Sequence, residues 1–236
     1  MKKLLRIAFA VAFAFAPATV LPDTSWGRSR GLPADLPPLR TGDIVFQSSG
    51  GAQSMAIGMA TRSPYTHTAL IEIDASGRVN AVEAAGQVRT TPLAKWIKYG
   101  NGGRITVKRV KGLGADAARK TLVAAHAYDG RPYDTFYYET RDAIYCSELV
   151  HLAFLEGPGL NIGTIQRVKE LQIDNAPARA LIESRWRDHP LCQSAKAKTF
   201  EACYALILEQ TLVTPASVAR DSKLETVYTN FGPAAD

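Results

Sequence analysis

Apolar and polar positions along this chain follow two rhythms, and each change of rhythm predicts an element. Ile44-Val45-Phe46, directly after Gly42-Asp43, predicts a short strand, and residues 52–60, after the break at Gly50-Gly51, predict a short helix. Residues 66–73 are β-branched and apolar and predict a second strand. The turn residues Asp74-Ala75-Ser76-Gly77 lead to a return strand over 79–84, a hairpin that 87–90 extends. Pro92 opens a helix over 92–98 with Trp96 on its apolar side, and Gly102-Gly103 ends it. Alternation over 105–110 predicts another strand, and residues 115–128 a helix. Residues 133–138 form an aromatic loop. Segment 147–155, with Leu149, Val150, Leu152, Ala153 and Phe154, predicts a helix apolar enough to be central. Residues 168–212 read as helical and 224–228 as a last strand, so the fold class is α+β with a helical insertion.

With 236 residues, 46% hydrophobic and 21% charged, the chain fits one globular domain or at most two small ones. A disordered chain, a collagen-like repeat and a coiled coil are excluded. The first six residues carry Lys2, Lys3 and Arg6, an apolar run covers 7–16, and Ala16-Pro17-Ala18 follows. This is the pattern of a cleaved secretory signal over 1–18, which predicts a secreted or periplasmic protein. The run is too short to span a bilayer, which takes about 20 residues, and no other segment reads as a transmembrane anchor. Residues 19–38, rich in proline, read as an extended lead-in. The signal holds three of the cations, so the formal charge of +6 falls to +3 without it. With no basic stripe besides, nucleic acid is not an expected partner.

An exported chain meets an oxidising compartment, where thiols pair. Cys192 and Cys203 lie eleven residues apart and are expected to form a disulfide, leaving Cys146 alone. Cys146 stands where a loop becomes the central helix, and a helix start lowers a thiol's pKa. It is therefore a candidate nucleophile, against the plainer role of a buried structural thiol. Among the histidines, His67 lies on a strand that would hold an imidazole rigidly. His151 falls five residues after Cys146, on a different helix face. His126 and His189 read as solvated or as partners of helix-end carbonyls. Glu83, on the strand returning against that of His67, sits among small apolar residues, where a carboxylate needs a partner. It is the candidate to orient His67. Glu72, at an outer strand end, and Asp43, which also reads as a turn residue, compete for that place.

Thr41-Gly42-Asp43-Ile44-Val45-Phe46-Gln47, Ser63-Pro64-Tyr65-Thr66-His67-Thr68-Ala69-Leu70-Ile71, Val82-Glu83-Ala84 and Ile144-Tyr145-Cys146-Ser147-Glu148-Leu149-Val150 occur in that order. Together with Thr214-Pro215-Ala216-Ser217 and Leu224-Glu225-Thr226-Val227-Tyr228 they resemble the YiiX/YebB-like group, circularly permuted members of the NlpC-type papain-like superfamily. The resemblance covers about 39–231 and implies a permuted papain-like hydrolase domain over 39–232. Such a domain has a small antiparallel sheet packed on the helix that bears the Cys. The resemblance also implies Cys146 as nucleophile, His67 as base, Glu83 as orienting group, and Tyr145 with the Cys146 backbone N–H as oxyanion support. Two departures stand out. Residues 175–210 form a long insertion, and Thr68 follows His67 where a small apolar residue is usual.

The expected activity is cysteine hydrolysis of an amide or ester through an acyl-enzyme, on cell-wall peptide or related amides in the envelope. A lipid acyl substrate is the alternative, and an inactive envelope binding module a further one. No C-x-x-C or H-E-x-x-H spacing and no glycine-rich phosphate loop occurs, so neither a metal nor another cofactor is expected.

Overall fold

The computed structural model describes residues 31–138 and 140–232. The signal expected at 1–18 and most of the lead-in expected at 19–38 lie outside the described residues. Six antiparallel strands form the main sheet: β1 (Ile44–Gln47), β2 (His67–Ile73), β3 (Val79–Ala85), β4 (Gln87–Pro92), β5 (Ile105–Val110) and β8 (Leu224–Thr229). Their spatial order is β4-β3-β2-β1-β5-β8, so the last strand closes the edge beside β5.

Strand alternation divides the core into two clusters. Ile44, Phe46, Leu70 and Val82 face α4 (Cys146–Glu156), which also packs on α3 (Ala115–His126). Nine of the eleven residues of α4 are buried, hence its apolar sequence on all sides. Its buried polar groups are matched: Ser147 Oγ donates to Val213 O at 2.9 Å, and His151 Nδ1 meets Ile162 O at 2.8 Å. On the other face, Val45, Ala69, Ile71 and Ala81 pack with Trp96 and Ile97 of α2 (Leu93–Tyr99). Leu32 and Leu36 of the lead-in, and Leu39, join them, so its described end is docked.

The insertion corrects the continuous helical reading of 168–212. Three short helices follow one another: α5 (Ala176–Arg185), α6 (Pro190–Ser194) and α7 (Phe200–Glu209). A two-stranded ribbon of β6 (Ile165–Arg167) and β7 (Thr211–Val213) pinches its base. Each helix restarts because the chain supplies a new cap. Asn175 Oδ1 accepts the Ala178 N–H at 2.9 Å, Thr199 Oγ1 accepts that of Ala202 at 3.2 Å, and Pro190 opens α6. Cys192 and Cys203 are joined, with Cα atoms 5.1 Å apart, clamping α6 to α7. A loop of this size gives a chain-entropy stabilisation of about 3 kcal/mol. The chain then passes through α8 (Pro215–Ala219) to β8, and α1 (Ala52–Thr61) packs against α5.

Candidate active site

Cys146 is the first residue of α4, after Tyr145 in extended conformation. The Tyr145 N–H donates to the Glu148 carboxylate at 3.3 Å, which caps the turn. His67 is the first residue of β2, opposite Gln47 of β1. By alternation His67 and Glu83 share the face of Ala69 and Ala81, whereas α4 packs on the opposite face. They meet Cys146 because β2 and β3 part beyond their last pair, Leu70–Val82.

His67 Nε2 lies 2.8 Å from Glu83 Oε2, leaving Nδ1 as the nitrogen for the thiol it hydrogen-bonds. The second Glu83 oxygen accepts from Thr91 Oγ1 at 2.7 Å and from Arg89 Nε at 3.1 Å. Gly86, at φ 73°, turns β3 directly into β4, so Arg89 stands opposite Glu83. Under the imidazole lies Trp96, stacked at 5.6 Å between centroids. Glu83 is 2% and His67 12% exposed, so these charges interact with little screening.

Burial opposes charge on His67, but its bonds to Cys146 and Glu83 outweigh that and raise its pKa to about 9. Burial would likewise raise the Cys146 thiol, yet His67 and the backbone N–H groups of Thr68 and Ser147 hold it below its ordinary value. For Glu83, burial is outweighed by His67, Thr91 and Arg89, and its pKa falls. The three shifts point the same way, toward thiolate, imidazolium and carboxylate in a row. Such a pair can attack an acyl carbon without first losing a proton to solvent.

Sequence reasoning missed three of the residues around this row. Arg89 and Thr91 were legible in principle, since a tight turn at Gly86 fixes their register against Glu83. Tyr133 was hidden in the aromatic loop. Its hydroxyl hydrogen-bonds the Cys146 sulfur and accepts from Gln53 Nε2 at 3.4 Å. The Tyr145 hydroxyl instead accepts the Val213 N–H at 3.1 Å, anchoring α4 to β7. At the departure, the Thr68 hydroxyl donates to Val45 O at 3.0 Å, while its backbone N–H meets the sulfur as that of any residue there would.

Other candidates fall outside the row. Asp43 holds Arg109 by two bonds, 2.6 and 2.7 Å, a structural pair across β1 and β5. His126 bridges Asp129 at 2.9 Å and Glu72 at 3.0 Å, which corrects its reading as solvated. His189 is corrected further: it is 4% exposed and caps α6.

Two concavities meet at the row. One, with about 870 Å³ of atom-free space out to its mouth, lies between α1, the insertion and the start of α4. Cys146 lies in its wall beside an apolar lining that includes Ile57, Val168, Leu181, Ile182, Ile207 and Leu212. The second is a polar cleft on the imidazole side, lined by His67, Glu83 and Arg89 with Gln47, Gln53 and Thr66. With His67 protonated, the charges lining this cleft sum to one positive.

Residues 38–228 match the family model described as permuted papain-like amidase enzyme, YaeF/YiiX, C92 family. Uncharacterized protein YiiX of Escherichia coli (strain K12) is 33% identical over 189 residues, 80% of this chain and 85% of that protein. The crystal structure of YiiX from Escherichia coli O157:H7, titled a metalloprotein, has a TM-score of 0.71 at 33% identity. That match covers 81% of this chain and 98% of that one. Among the described residues here, no three His, Cys, Asp or Glu side chains gather where they could hold a metal ion. The six-stranded antiparallel sheet packed on a helix that begins with its cysteine, the order of histidine before cysteine, and these matches lead to one conclusion: this chain belongs to the permuted papain-like amidases of the YaeF/YiiX family.

Proposed function

We propose that this protein is a cysteine hydrolase that cleaves an amide, or an ester, with an apolar acyl group. The observation that carries this reading is the Cys146–His67–Glu83 row with its opposed pKa shifts, opening onto an apolar cavity. The Cys146 thiolate attacks the acyl carbonyl and forms the C–S bond. The developing oxyanion is met by the Cys146 backbone N–H, at the positive end of α4, and by the Tyr133 hydroxyl. His67 donates its Nδ1 proton to the leaving nitrogen or oxygen as that bond breaks, while Glu83 keeps Nε2 protonated. The neutral imidazole then takes a proton from water, which attacks the thioester and releases the acid and the thiolate.

His67 protonates the leaving group, so the leaving group occupies the polar cleft and the acyl part the apolar cavity. This division favours an acylated amine or alcohol over a cell-wall peptide, which is polar on both sides of its scissile bond. The signal pattern at the start of the sequence and the Cys192–Cys203 bridge support an envelope location.

The test is hydrolysis of decanoyl-p-nitroanilide, decanoyl-p-nitrophenyl ester and soluble cell-wall peptides by the wild type and Cys146→Ala. We expect the decanoyl compounds to be cleaved by the wild type alone, with unfolding temperatures matched. Turnover by Cys146→Ala, or faster cleavage of the peptides, overturns the proposal. A wild type that turns nothing over and alkylates slowly at Cys146 would make the chain a binding module.

A further inference from the structure

The polar cleft on the imidazole side lies where the leaving group departs, and one of its cations is not used up by the fold. Glu83 is the one acid among the side chains that line it. That carboxylate is 2% exposed, and its oxygens already meet His67, Thr91 and Arg89, so it has nothing left for a ligand. The cations are His67, when protonated, and Arg89.

Arg89 is held more lightly than the other arginines near the site. Arg109 spends Nε and Nη2 on Asp43, at 2.6 and 2.7 Å. Arg185 spends both terminal nitrogens, on Thr135 O at 2.7 Å and on Gln53 Oε1 at 2.8 Å. Arg89 gives only Nε, to Glu83 Oε1 at 3.1 Å, and its side chain is 45% exposed. A guanidinium carries five N–H donors in a fixed fork, so an arginine bonded through Nε alone keeps four. The pairing of Glu83 with Arg89 across β3 and β4 sets both side chains on one face of the sheet. Arg89 is thus tethered at the cleft, with its terminal nitrogens accessible and unbonded among the described residues.

We infer that the cleft takes a leaving amine or alcohol that carries an oxyanion, a carboxylate or a phosphate, and that Arg89 binds this oxyanion. A fork of N–H donors matches two oxygens of either group. A cationic leaving group would face Arg89 and the protonated His67, with the one acid already occupied. A neutral apolar one would cover the guanidinium and give it no acceptor. Glu83 stands between His67 and Arg89, so the oxyanion lies a few bonds beyond the leaving atom rather than next to it. This inference names the leaving group of the acyl-hydrolase reading and rests on it.

The experiment compares kcat/KM for the N-decanoyl derivatives of glycine, β-alanine, 4-aminobutyrate and phosphoethanolamine. Each is paired with a neutral amide of matched length, ending in a carboxamide or a hydroxyl. In the wild type at least one anionic compound should be preferred about tenfold over its neutral partner, and the preference should shrink as ionic strength rises. In Arg89→Gln both partners should slow, because Glu83 loses a donor, but their ratio should fall to near one. Arg89→Lys should keep part of the preference. The ratio is taken on one sample, so an unfolded fraction of a variant cancels. Preference among the carboxylates alone, or for the phosphate alone, supports the inference and identifies the source of the oxyanion. A wild-type ratio near one, a ratio unchanged in Arg89→Gln, or cleavage of decanoyl-p-nitroanilide with none of this set overturns this inference and leaves the acyl reading standing. Cleavage of no decanoyl compound at all overturns both.

Discussion

Replacing Glu83 with glutamine tests the row at its hinge. Two donors, from Thr91 and Arg89, converge on Oε1, and His67 Nε2 meets Oε2. A carboxamide has only one oxygen. Kept on Thr91 and Arg89, it turns its NH2 toward His67, and two donors cannot face each other. The imidazole is driven to the tautomer with its proton on Nδ1, where the thiol needs an acceptor. The rise of the His67 pKa from 6.5 to about 9 corresponds to roughly 3 kcal/mol in favour of its charged form. Glu83 is one of the two groups that raise it. Losing the carboxylate should return the pKa toward its ordinary value and let the Cys146 thiol rise. The assay is iodoacetamide alkylation against pH. A raised His67 and a lowered Cys146 favour the thiolate, so the wild-type rate should fall less steeply from pH 8 to 6 than that of a free thiol. In Glu83→Gln it should fall about tenfold per pH unit below the free-thiol pKa of about 8.5. Hydrolysis should drop roughly 10³–10⁴-fold, as for a misdirected tautomer in a serine triad. A Glu83→Gln profile as shallow as that of the wild type would show that the carboxylate does not hold the ion pair.

Tyr133→Phe removes one hydroxyl from the sulfur and the oxyanion position. It should lower kcat by about 10²-fold with little change in KM, measured on whichever acyl substrate the wild type cleaves; an unchanged kcat would remove Tyr133 from the mechanism. Asp43→Ala leaves the Arg109 guanidinium, 16% exposed, without its carboxylate. Denaturant unfolding should lose about 3 kcal/mol, the low end for a broken buried pair, with kcat unaltered. A large fall in kcat at unchanged stability would return Asp43 to the catalytic candidates.

The local pattern determined the strands and their faces. The hairpin pattern already put His67 and Glu83 on neighbouring strands, and the apolar content of 147–155 made that helix central. The eleven-residue interval marked the Cys192–Cys203 pair, because loop closure between near neighbours is a local event. What alternation cannot express is a meeting across the sheet. Cys146 reaches His67 from the opposite face, through the parting of β2 and β3, and that depends on how α4 lies against the whole core. Asp43 shows the same limit: next to its turn it looked available, but Arg109, sixty-six residues away, occupies it. The insertion read as helical throughout, and its caps and prolines, set against the ribbon of β6 and β7, divide it into three helices around a cavity. Tyr133 and His189 take their places from packing between segments far apart in the chain. Burial and hydrogen bonding at such places are properties of the folded surface, because they depend on which groups the chain brings together.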